Sequence, residues 1–167
     1  MLNRYCFTLL ICLTVFLANA QENIDWKLLS KVKFRTDYIE DLGAYYMKPK
    51  FSKEVEEYEG KEVILSGYFI PFNEQKMFFI LSRYPLSSCY FCGAAGPESV
   101  VELQLKPEAV QRFRMDEQLA FKGTLSLNVN DLDHCNYILK NAEPYEPKRH
   151  RSRRSPSPND RKPGATG

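Results

Sequence analysis

Three observations predict a mainly β fold, a small five-stranded OB-like Greek-key barrel with short helices and an N-terminal arm. Apolar and polar residues alternate with period two from Lys61 onward. The segments follow in the order strand, strand, strand, short helix, strand, strand. Two of the strands carry a central glycine, Gly67 and Gly123, which allows strong curvature. The competing arrangement is an open antiparallel sheet packed on one helix.

The elements follow in order. IDWKLLSKVKF opens the arm, with Trp26, Leu29, Val32 and Phe34 as packing residues. Ser52 starts a short helix in SKEVEEYEG, with acidic residues behind the cap and Gly60 as a stop. KEVILSGYFIPF is the first barrel strand; Val63, Leu65 and Phe69 share one face, and Gly67 marks a bulge or a strong bend. NEQK turns into a second strand, MFFILS. In SVVELQL, Val101, Leu103 and Leu105 face one way and Glu102 and Gln104 the other. KPEAVQRFRMD predicts a short helix with Pro107 in its first turn. EQLAFKGTLSL groups Leu119, Phe121, Leu125 and Leu127, NVNDLD is a turn cluster, and CNYILKNAE closes the barrel.

The ends carry different messages. Residues 1–20 have one basic residue, Arg4, an apolar run from Phe7 to Leu17, and small residues at Ala18 and Ala20. That is the pattern of a secretory signal peptide cleaved after Ala20, with a retained anchor as the rival. The mature chain then divides into an arm and short helix (21–60), a barrel (61–146) and a basic tail (147–167). No second apolar run is long enough to span a bilayer, so the mature protein is expected to be exported, periplasmic or secreted, and not transmembrane.

Charge is uneven. The chain carries +2 overall, but Lys148–Gly167 holds seven Lys or Arg against one Asp, and Arg4 sits in the signal; residues 21–147 are left at −5. An acidic domain argues against a nucleic-acid groove. The tail, rich in Pro, Ser and Arg, is expected to be disordered. It is either a solvated extension or a basic arm for anionic polymers or lipid headgroups.

The chemistry concentrates in SSCYFCGAAGPESV. Cys89 and Cys92 stand at C-x-x-C spacing with Gly93 directly after. A redox enzyme of the thioredoxin kind needs a helix N-terminus at the first cysteine; Gly93-Ala94-Ala95-Gly96-Pro97 is a loop instead. Haem attachment needs histidine where Gly93 stands. Two main readings stay open. Cys89 and Cys92 chelate a metal such as zinc, with His134 or Cys135 completing the site. Alternatively, a disulfide staples the loop, either between Cys89 and Cys92 or from one of them to Cys135. Free thiols packed as small apolar groups are a further reading. After cleavage the cysteine count is three, which suits a chelate better than one disulfide.

Tyr84, Tyr90 and Phe91 form a candidate aromatic binding surface around the same loop, or pack as core and rim. Asp131, Asp133 and His134 form a polar cluster that turn chemistry explains as readily as a cation does. G-x-S-x-G, H-E-x-x-H and phosphate-loop motifs are absent from the sequence.

YEGKEVILSGYFIP, SCYFCGAAGPESVVELQ, MDEQLAFKGTLSLN and NYILKNAE resemble a family of uncharacterised exported bacterial proteins of Bacteroidetes type. The resemblance covers about Trp26 to Glu143. It implies export and a barrel, and no activity; the tail and Cys135 lie outside its pattern. The sequence therefore points to a non-enzymatic binding or assembly module of the cell envelope, with an envelope protein or a small ligand as partner. A structural domain with a stapled loop and a thiol-disulfide oxidoreductase are the alternatives.

Overall fold

The computed structural model describes residues 22–40, 43–73, 78–109 and 113–146. The expected signal peptide and basic tail lie outside the described residues. The elements are β1 (Glu22–Asn23), α1 (Trp26–Leu29), β2 (Val32–Ile39), β3 (Ala44–Phe51), α2 (Lys53–Glu56), β4 (Glu62–Asn73), β5 (Phe78–Ser82), β6 (Val100–Leu105), β7 (Gln118–Leu127) and β8 (Tyr137–Pro144).

Five strands close on themselves in the order β4-β5-β6-β8-β7, with β7 returning to β4. β6 and β8 run parallel, and the other barrel neighbours are antiparallel. This is the expected OB-like Greek-key barrel. β4 reaches both neighbours by changing partner along its length: Glu62 to Tyr68 pair with β7, and Tyr68 to Asn73 pair with β5.

Both central glycines admit a close neighbour. Gly123 faces a bulge in β8, where Asn141 and Ala142 stand opposite it, and a Cβ there would stand 2.8 Å from the Lys140 carbonyl oxygen. Gly67 pairs with Leu119 in an unbroken register and marks no bulge. A Cβ there would stand 2.5 Å from the Ser82 carbonyl oxygen and 2.9 Å from the Trp26 ring.

Period two puts the expected residues inside. Val63, Leu65, Phe69, Val101, Leu103, Phe121 and Leu125 are all buried, while Leu105, Leu119 and Leu127 pack at the margin. Phe69 sits among the rings of Phe79, Phe113 and Phe121, with centroids 5.1 to 6.2 Å away.

The N-terminal region is more ordered than an arm. Asp25 caps α1 by accepting from the Leu28 amide at 2.8 Å. Leu29 and Val55 are fully buried in the barrel core. The Trp26 Nε1 donates to the Ser66 carbonyl at 2.7 Å, and the Tyr137 hydroxyl donates to the Leu29 carbonyl at 2.6 Å. Between α1 and α2 runs a hairpin, with β2 and β3 paired from Val32–Phe51 to Ile39–Ala44. The helix expected over 106–116 is a single 3₁₀ turn, Pro107–Ala109; residues 110–112 lie outside the described residues, and Phe113 is already irregular.

Candidate functional site: an aromatic groove beside the cysteine loop

Three segments meet over the outer face of β5 and β6: the tip of the β2–β3 hairpin, the cysteine loop 83–99, and the β7–β8 loop 128–136. Between them lies a groove of about 530 Å³, within the usual range for ligand pockets. Its walls include Tyr45, Tyr46, Tyr90, Phe91, Leu132 and His134. Asp133 also faces it, and no Lys or Arg is among the described residues lining it.

The cysteine loop is built from 3₁₀ turns at Leu86–Ser88, Tyr90–Cys92 and Pro97–Ser99. Cys89 stands between the first two in extended conformation, and its carbonyl accepts from the Cys92 amide at 3.2 Å. Gly93, at φ 74°, supplies the left-handed residue that ends the turn. The consequence is a division of labour. Cys89 goes inward and is fully buried in a small cluster with Ile70, Ile80 and Val100. Tyr90 and Phe91 go outward. Phe91 stacks against Phe72 at 4.4 Å, and Phe72 meets Phe78 edge-on.

The β7–β8 loop is clasped by one residue. Asn128 accepts from the Asn130 and Asp131 amides and donates to the carbonyls of Asp131, His134 and Cys135. Asp131 in turn accepts from the Asp133 amide at 3.0 Å. Turn chemistry thus accounts for the Asp131 side chain. Asp133 and His134 remain exposed on the groove side.

Beneath them lies Glu102, on the face of β6 that the alternation expected to be polar. It is 3% exposed because the β7–β8 loop folds over it. Both its oxygens stand 2.9 Å from His134 Nδ1, and it also accepts from the Cys135 amide at 3.2 Å and the Gln104 side chain at 3.1 Å. A carboxylate can only accept, so Nδ1 carries the proton and Nε2 is the nitrogen left for a ligand. The Glu102 hydrogen bond raises the His134 pKa above its ordinary value, against the opposing effect of desolvation.

Of the four residues expected to share a metal, Cys92 lies beside Cys89 and Cys135 packs on the cluster that holds Cys89, while His134 turns to Glu102. No group of three or more His, Cys, Asp or Glu among the described residues is placed to hold an ion. The physical reasons are local. The Cys92 thiol donates to the Leu86 carbonyl at 2.8 Å, and its pKa is raised by desolvation and then by neighbouring Cys89. Cys135 packs against the apolar cluster; burial, and then Glu102, push its thiol up to about 12. His134 is held by Glu102. The cysteine staple is not formed either: Cys89, Cys92 and Cys135 are free thiols.

Of the expected aromatic surface, Tyr90 and Phe91 line the groove. Tyr84 turns away under the Arg83 guanidinium, 5.2 Å from its ring centre, into a separate depression with Ser88 and Glu98. Tyr45, Tyr46 and Glu102 were not picked out by the sequence. The one available hint was the run Tyr45-Tyr46-Met47 after a glycine, a hairpin tip with apolar residues.

No family model and no curated protein matches the chain. Among solved structures, it is similar to the crystal structure of a DUF3299 family protein from Pseudomonas aeruginosa. The TM-score is 0.45 and the identity 16%, over 77% of this chain and 99% of that one.

Proposed function

We propose that this protein is an exported, non-enzymatic binding module of the cell envelope, and that the aromatic groove is where it binds. One observation carries the reading. The groove lies over β5 and β6 and is walled by the β7–β8 loop, the position where barrels of this class hold their ligands. There the chain exposes large apolar side chains that the core does not use: Tyr45 is 76% exposed and Met47 45%.

The lining supports binding over catalysis. His134 has its orienting carboxylate, but no activated nucleophile is among the described residues lining the groove, since burial pushes the thiol of adjacent Cys135 up to about 12. The test is a panel of aromatic fragments, neutral oligosaccharides and short peptides, read by NMR on the mature chain. Binders that shift the resonances of Tyr45, Tyr90 and His134 are expected. Binders that map only elsewhere on the barrel would contradict the reading.

A second reading is favoured by the 3₁₀ turn that joins Cys89 to Cys92, which keeps the two close enough for Cys89 to raise the Cys92 pKa. In an oxidising compartment, exchange with a disulfide oxidant would accept two electrons from the pair, release two protons and staple the loop. Such a bond would lock the Tyr90-Phe91 wall. Protein recovered from that compartment should then show one free thiol under denaturant; three would contradict the staple.

A further inference from the structure

We infer that the groove takes an arginine- and proline-rich strand, and that its occupant is this chain's own basic tail. The inference rests on the reading of the groove as a binding surface and names what binds there.

Three features converge. The groove offers exposed aromatic faces at Tyr45, Tyr90 and Phe91 and a carboxylate at Asp133, with Asp131 in the same turn and no Lys or Arg in its described lining. Aromatic faces attract guanidinium groups, and aromatic-lined grooves dock proline-rich strands. The tail has the complementary chemistry: RHRSRRSPSPNDRK places four arginines ahead of two prolines at alternate positions. A neutral, proline-rich strand would gain only the stacking, and an anionic ligand would meet Asp133, with His134, already paired with Glu102, as the one cationic group in the described lining.

The lengths also agree. The described chain ends at Glu146, just after the Tyr145 amide donates to the Ala120 carbonyl near the start of β7. The β7–β8 loop follows the far end of β7, about 25 Å along the strand at ~3.3 Å per residue. Arg151 to Pro158 lie five to twelve residues beyond Glu146, a reach of about 15 to 37 Å at ~3.1 Å per residue. The tail can therefore fold back along the barrel: Arg154, eight residues past Glu146, reaches about 25 Å at ~3.1 Å per residue, which sets Arg154 and the two prolines at the groove and Arg151 and Arg153 on the approach to it.

The test uses the full mature chain with its native tail and a variant in which Arg151→Ser, Arg153→Ser and Arg154→Ser are combined. At low salt, the resonances of Tyr45, Tyr90 and Asp133 should differ between the two chains, and the difference should fade at high salt. A synthetic peptide, RHRSRRSPSPNDRK, added to the variant should restore the native shifts, at least fivefold more weakly when Asp133→Asn is also present. Identical groove resonances in the two chains would overturn the inference. Shifts that disappear on dilution would place the tail on a second copy and overturn the intramolecular contact. The two readings fail separately. Fragments that bind the groove equally well in both chains remove the tail as occupant and leave the binding site standing. Fragments that miss the groove even in the variant remove the binding site itself.

Discussion

The barrel interior and the groove wall use the same kinds of residue for opposite ends. In the barrel, Leu65, Phe69, Phe121 and Leu139 are all at most 2% exposed, and every strand has a partner on both sides. Around the groove, Tyr45, Tyr90, Phe91 and Leu132 are 37% to 76% exposed, on a hairpin tip and two loops. Period two with closure accounts for the first region. The second region packs only among its own rings, Tyr45 on Tyr38 and Phe91 on Phe72 and Tyr90, and leaves their outer faces open. On the proposed reading, the difference separates residues that hold the fold from residues available for a partner.

The largest effect that sharpens this contrast is Phe121→Ala. Its ring lies inside the barrel against Phe69 and Phe113. Its removal should cost about 3–5 kcal/mol of unfolding free energy, read from a urea titration. Next comes Gly67→Ala, which forces a methyl against the Ser82 carbonyl and the Trp26 ring. A loss of about 1–3 kcal/mol is expected; an unchanged midpoint would show that β4 and β5 have room to part.

Two ionic contacts divide the regions by pH. In the barrel, Glu143 accepts from Lys106 at 2.8 Å and Lys122 at 2.7 Å, and its pKa falls from 4.5 to about 2. A depressed carboxylate stabilises above its unfolded pKa and loses that contribution as pH falls through the folded one. Glu143→Gln should therefore flatten the loss of stability between about pH 4.5 and 2, by no more than about 1 kcal/mol for a pair this near the surface. At the groove the sign reverses. The His134 pKa is raised above 6.5 by Glu102, so the pair's contribution is complete below 6.5 and is lost as pH rises through the raised value. An NMR titration of His134 should move back toward the ordinary value in Glu102→Gln. An unmoved titration would show that Asp131 and Asp133 set it instead.

The legible part of the molecule follows from the same division. Strand order, closure and seven core positions from Val63 to Leu125 could be read because alternation in a closed barrel leaves one place for each apolar side chain. The hairpin was not legible, because the alternation of Val32 and Phe34 with Lys33 and Arg35 breaks at Thr36-Asp37 and Pro49 sits inside β3. Glu102 was missed because alternation assigns it to the outer face, and only the returning β7–β8 loop covers it. The cysteine spacing drew attention to a loop whose intervening residues, Tyr90 and Phe91, the sequence had also picked out as an aromatic surface. Cys89 packs inward, and the two residues between the cysteines form the wall.

The account's central claim is that the groove rings serve binding and not folding. The most direct measurement takes the double variant Tyr45→Ala with Tyr90→Ala and reads both properties in one preparation. Its urea unfolding free energy should stay within about 0.5 kcal/mol of the parent, while a groove-binding probe loses at least tenfold in affinity. A loss of stability as large as that of Phe121→Ala, with probe affinity unchanged, would contradict it.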